Sequence, residues 1–147
     1  MSSLPKTLAE LLAVAAERIE RLEPAQAHAA AGEGALLIDI RSDAAREREG
    51  IVPGSLHVPR TVLEWRLDPE GDWRNRHVNA REQRLVVFCD HGYSSVLAAA
   101  MLAELGYAGV ADVVGGFEAW RKAGLPVARA RPRDPEELPG MGPPDPA

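Results

Sequence analysis

The chain has 147 residues, 46% apolar and 27% charged, which suits one globular domain and excludes two independent cores or a wholly disordered chain. A formal charge of -5 excludes a broad cationic surface for nucleic acid or an anionic membrane, and a single cysteine excludes a disulfide-stapled secreted scaffold. Glu10 and Glu17 interrupt the apolar N-terminal stretch, no basic segment precedes an uncharged one, and no run reaches the length of a membrane span, so the cytoplasm is the expected compartment.

Leu8, Leu11, Leu12, Ala15, Ile19 and Leu22 recur at helical spacing, with Glu10, Glu17, Arg18 and Arg21 largely on the other side. This predicts an amphipathic helix whose stripe packs on its own domain or forms a face for a partner or a second copy, as in a homodimer. Further along, ALLIDI follows the Gly-rich AGEG and precedes the helix-prone SDAAREREG, the pattern of a buried strand leading into a helix. LVVF at Leu85 to Phe88, then CDHGYSS, then SVLAAAMLAEL reads as strand, tight loop and helix. ADVV at Ala111 to Val114, the Gly115-Gly116 turn and FEAWRKAG repeat that pattern. Strands written as continuous apolar runs and alternating with helices predict an α/β fold, a parallel sheet with helices on both faces. Ligands in such sheets bind outside the carboxyl ends of the strands, where Asp39, Cys89 and the glycine pair fall. Seven of the last 22 residues are proline, which predicts a flexible tail. The expected division is a helical extension over 1–23, the α/β domain over 24–127 and the tail over 128–147.

Cys89 ends a strand and Ser95 opens a helix, so the intervening chain must fold back sharply with backbone amides pointing inward. Gly92 tolerates positive φ, and the helix N-terminus adds partial positive charge near the sulfur. Both favour thiolate over thiol, and a thiolate among N–H donors can accept an outer sulfur as a persulfide and pass it on. A buried, inert thiol is the ordinary state of free cysteines, but the polar flank of Asp90, His91, Ser94 and Ser95 marks this one as reactive. A lone cysteine without paired His or Cys spacing gives no metal site, and the chemistry calls for no cofactor. His28, His57 and His77 show no ligand spacing.

LLIDIR, GIVPGSLHVP, CDHGYSS and LGYAGVADVVGGFEAWRKAGLPV, in that order between Pro24 and Val127, resemble the strand ending in Asp-x-Arg, the proline-glycine segment, the active loop and the closing strand, glycine turn and Trp helix of rhodaneses. The resemblance implies the rhodanese-like three-layer fold and sulfur transfer. In it Cys89 is the sulfur-accepting nucleophile, and Asp90, His91, Gly92, Tyr93, Ser94 and Ser95 form the anion cradle. Asp39 and Arg41 brace the loop; Gly115, Gly116 and Trp120 are architectural. The implied partners are a small sulfur-containing anion or persulfide donor and an acceptor, a thiol or cyanide.

Many active rhodaneses carry Arg where this chain has Ser94, and a hydroxyl offers one donor where guanidinium offers five with a full charge. Ser95 stands where the related phosphatases and arsenate reductases place their oxyanion-gripping Arg, which ranks that chemistry below sulfur transfer. Ile51 replaces the family's His in its Gly-His-Ile-Pro segment, and Arg46 replaces an acid. Arg60 and Arg66, flanking the apolar Val62, Leu63 and Trp65, are the candidates to restore the missing charge; pairing of Arg60 with Glu64 is the plainer alternative. A non-catalytic rhodanese-like binding module and a redox-sensing thiol are the rival functions.

Overall fold

The structure, a computed structural model, describes residues 6–78 and 80–147; residues 1–5 of the expected extension lie outside them. Five parallel strands form one sheet in the order β1-β5-β4-β2-β3. They are β1 Glu20–Leu22, β2 Leu36–Asp39, β3 Leu56–His57, β4 Arg84–Phe88 and β5 Gly109–Val113. The helices are α1 Leu8–Glu17, α2 Pro24–Gly32, α3 Asp43–Glu49, α4 Leu63–Leu67, α5 Ser94–Glu104 and α6 Gly116–Lys122. This is the α/β architecture that the alternating apolar runs predict. Among the described residues no helix is long and apolar enough to cross a membrane.

Side chains alternate across a strand, and that period decides which layer each residue joins. Leu85, Val87 and Cys89 enter the core shared with Leu63 and Leu67 of α4 and Ala98, Ala99 and Leu102 of α5. Val86 and Phe88 enter the opposite core with Ala27 of α2 and Phe117 and Trp120 of α6. The nucleophile candidate thus inherits the α5 side of the sheet from the strand before it.

The N-terminal pattern is only partly helical. Thr7 and Glu10 cap α1 reciprocally, and Ala15 packs on Val96 and Ala100 of α5, but the helix stops at Glu17. Residues 20–22 instead become β1, paired with β5 in the register Glu20↔Ala111, Arg21↔Asp112 and Leu22↔Val113. Left bare, the outer edge of β5 would present unpaired N–H and C=O groups beside packed helices, so pairing there outweighs continuation of the helix. Pro24 then opens α2. Leu8 and Leu11 stay 61% and 46% exposed, so the apolar stripe covers its own domain in part only.

The proline-rich tail corrects the expectation of a free segment, because it is tied down through its main chain. Ala128 and Ile51 exchange two backbone hydrogen bonds, and the Asp145 amide donates to the Ser55 carbonyl. Arg66 Nε donates to the Pro139 carbonyl at 2.7 Å, and Asn75 Nδ2 donates to those of Gly140 and Gly142 at 2.8 and 2.9 Å. The Asp145 carboxylate pairs with Arg46. Composition cannot display such anchors, since the tail contributes carbonyl acceptors that every residue possesses. Asn75 is fully buried, and its Oδ1 also accepts from the His77 amide. Asn75→Ala is expected to cost about 1–3 kcal/mol and to speed hydrogen exchange across residues 139–145; unchanged exchange there would show that the tail is held by something else.

Candidate active site

Between Phe88, the end of β4, and Ser94, the start of α5, five residues reverse the chain. Gly92 makes the reversal with φ +86°, and a β-carbon there would lie 2.6 Å from the Gly115 nitrogen. Its N–H donates to Cys89 Sγ at 3.2 Å. The carbonyls of Cys89 and Asp90 point the other way, accepting from the amides of Phe117 at 2.8 Å and Glu118 at 3.1 Å. Those amides belong to the first turn of α6, whose donors have no partner within their own helix. With its carbonyls drawn to α6, the loop is left with amides facing the sulfur.

The sulfur is more enclosed than the sequence suggests: Cys89 is only 6% exposed, within the core on the α5 side. Burial pushes the thiol pKa up, but the Ser95 and Ser94 hydroxyls and the Ser95 and Gly92 amides outweigh it, so the net displacement is downward from 9.0. A core cysteine without such donors would shift upward, which separates this thiol from a packing residue.

The other cradle residues divide by direction. His91 lies at the surface with Nδ1 2.8 Å from Glu118 Oε2, and Tyr93 is 73% exposed, so both side chains face away from the sulfur. Asp90 Oδ1 is buried without a hydrogen-bond partner among the described residues. Asp39 and Arg41 form a buried pair, with Nε to Oδ1 at 3.1 Å and Nη2 to Oδ2 at 2.9 Å. Arg41 also donates to the Gly50 carbonyl and lies 3.9 Å from the Phe117 ring centroid and 5.8 Å from that of Phe88. The pair makes no hydrogen bond to residues 89–95 among the described residues, and Arg41 packs instead on the rings of Phe88 and Phe117.

Arg60 and Arg66 are placed differently from the expectation of an anion contact. Arg60 Nη1 bonds both oxygens of Glu64 at 3.0 and 3.1 Å. Arg66 is 7% exposed and donates to the Pro139 and Trp73 carbonyls. One guanidinium is neutralised by Glu64 of α4 and the other anchors the tail.

Two residues outside the predicted set stand beneath the loop. Asp112 of β5 is fully buried, and its Oδ2 accepts from Ser95 Oγ at 2.8 Å. Arg21, its cross-strand partner on β1, donates from Nε to Oδ1 at 2.8 Å and from Nη2 to Oδ2 at 3.0 Å. The same Nη2 donates to the Gly92 carbonyl at 3.0 Å. Asp112 had a signal in the sequence: a carboxylate inside a buried strand requires a partner. Arg21 had none while it was assigned to a helix.

Comparison with known proteins agrees with this fold. The model of the rhodanese-like domain family matches residues 23–123. The thiosulfate sulfurtransferase GlpE of Actinobacillus succinogenes is 37% identical over 98 residues, spanning 67% of this chain and 79% of that protein. Among solved structures, a Rhodopseudomonas palustris protein of unknown function, described as a "possible tyrosine phosphatase", is 32% identical with a TM-score of 0.77, covering 86% of this chain and 98% of that one. The polysulfide-sulfur transferase homodimer of Wolinella succinogenes is 25% identical with a TM-score of 0.66, covering 87% and 91%. With residues 23–123 matched by the family model, about two-thirds of its length, the chain belongs to the rhodanese-like domain family.

Proposed function

We propose that this chain is a rhodanese-type sulfurtransferase that carries sulfane sulfur on Cys89. The carrying observation is the loop geometry: the Gly92 amide donates to Cys89 Sγ at 3.2 Å while the Cys89 and Asp90 carbonyls turn away to α6, an arrangement that favours the thiolate despite its burial. The relatives named as thiosulfate sulfurtransferases support the same reading. In the first half-reaction the Cys89 thiolate attacks the outer sulfur of thiosulfate, or the terminal sulfur of a persulfide. A new S–S bond forms as the old one breaks, and its electron pair leaves on sulfite or on the donor thiolate. The Gly92 amide and the serine hydroxyls then face a persulfide anion in place of the thiolate. In the second half-reaction an acceptor thiolate or cyanide takes the terminal sulfur, and the bonding pair returns to Cys89. In each half-reaction one bond to the sulfane sulfur forms as another breaks, with no net loss or gain of electrons, so no oxidant is consumed.

The phosphatase description attached to one neighbour fits this chain less well. Ser95 stands where a phosphatase loop needs an arginine to grip the phosphoryl oxyanion, and its single hydroxyl already donates to Asp112 at 2.8 Å. Intact mass after thiosulfate or a persulfide donor, followed by desalting, is expected to rise by about 32 Da, one sulfur held on the thiol. No gain with either donor, in protein that still alkylates at Cys89, would favour a binding module; hydrolysis of p-nitrophenyl phosphate would favour the phosphatase.

A further inference from the structure

The loop Cys89–Ser95 contains no lysine or arginine, and the two arginines expected to compensate are engaged elsewhere. Arg21 is differently placed. It reaches the loop from β1, across β5 from the strand that carries the sulfur and on the same side of the sheet. In the parallel register Arg21 stands opposite Asp112 and Asp112 opposite Val87, two residues before Cys89 on the same face. The Gly92 peptide then joins cation to sulfur, its carbonyl accepting from Arg21 Nη2 and its amide donating to Sγ.

A guanidinium has five N–H donors, and this one uses three, on Asp112 and Gly92. Nη1 makes no hydrogen bond among the described residues, and the side chain is 35% exposed. Asp112, by contrast, is held on both oxygens, by two bonds from Arg21 and one from Ser95. It therefore fixes the guanidinium plane without covering its outer edge. The hydrogen bond to Asp112 also raises the Arg21 pKa, with the Cys89 charge among the smaller contributors, so Arg21 stays charged throughout the working range.

Resting on the sulfurtransferase reading, we propose that Arg21 is the cation that receives the anionic sulfur donor. Nε and Nη2 stay on Asp112 and Gly92, while the two free N–H groups of Nη1 take the oxyanion end of thiosulfate or of another sulfonate-bearing donor. Asp112 is a positioning residue, acting through Arg21 and through the Ser95 hydroxyl. That hydroxyl has one proton, which lies on Asp112 in the resting arrangement and must turn to the sulfur when the thiolate forms.

The test uses R21Q, R21K and D112N in the full chain. With thiosulfate and cyanide, R21Q is expected to raise the thiosulfate KM about tenfold while kcat falls no more than about threefold, since it removes a charged contact made before chemistry and lowers the thiolate fraction only modestly, and R21K to recover part of the KM. An unchanged thiosulfate KM in R21Q overturns the proposal. Alkylation of Cys89 by uncharged iodoacetamide against pH needs no turnover. The charged groups around the sulfur are Arg21 and Asp112 beneath the loop, Glu23 beside Arg21, Asp90 within the loop and the His91–Glu118 pair on its outer side. Losing the cation moves the alkylation curve to higher pH and losing the anion moves it lower, about threefold slower and threefold faster respectively at pH 7. A purely structural role for the ion pair would not give opposite signs. If the wild-type chain takes no sulfur from thiosulfate or from a persulfide donor, the sulfurtransferase reading fails by itself. The alkylation curves then decide on Arg21, and superimposable curves overturn it.

Discussion

Cys89→Ser is expected to abolish sulfur loading and to lower turnover by at least about 10³-fold, while the protein stays folded. The substitution exchanges sulfur for a smaller oxygen in a site that already supplies a hydrogen-bond donor, the Gly92 amide. Its structural cost is therefore small, and the thermal midpoint should move by no more than a few degrees. The chemical cost is complete. A serine hydroxyl is not ionised at neutral pH, and the donors that lower a thiol pKa cannot bring an alcohol into that range. Intact mass before and after thiosulfate, alongside a melting curve, separates the two effects. Sulfur still retained by the serine variant would remove Cys89 from the mechanism.

Gly116→Ala is expected to damage the loop without touching the sulfur. A β-carbon at this position would lie 2.5 Å from the Cys89 carbonyl oxygen and 2.7 Å from the Asp90 carbonyl carbon, and Gly116 has φ +62°. Both obstacles are backbone, so no side chain can turn aside to make room. The start of α6 must withdraw, breaking the Phe117 and Glu118 amide bonds to the loop carbonyls. Steric overlap and the left-handed backbone together predict a loss of about 2–4 kcal/mol. With its carbonyls released, the loop no longer presents its amides to Cys89, so alkylation moves toward the pH range of an ordinary thiol. Gly124→Ala is the control: its φ is +75°, but nothing lies within 4 Å of the added carbon. It should cost only about 1 kcal/mol, and urea unfolding with alkylation rates would read both variants. Equal losses in the two would mean that contact with the loop is irrelevant.

The central strands and the active loop are legible in the sequence because they are local. LVVF is too apolar to be anything but buried, and a cysteine followed by Gly92 and two serines before an alanine-rich helix leaves one way to turn. The ends of the chain are less legible, since their fate depends on distant partners. Leu22 continues the helical spacing of Leu8 to Ile19, and neither glycine nor proline falls at the Glu17 terminus, so nothing local announces the change to a strand. The bare edge of β5, some 90 residues later, decides it. Arg21 was hidden for that reason: on a helix it is a solvated charge, and on β1 it stands beside Asp112. Arg60 and Arg66 show the reverse case, plausible by proximity in sequence and engaged elsewhere in space.

Between residues 139 and 142 the C-terminal segment is gripped by its peptide oxygens, at Pro139, Gly140 and Gly142. A clasp of this kind is indifferent to the identity of most side chains it holds, yet it counts residues. Leu138 and Met141 are therefore free to change, whereas inserting or deleting one residue between the Asn75 and Ser55 attachment points would put the Asp145 amide and carboxylate out of step with Ser55 and Arg46.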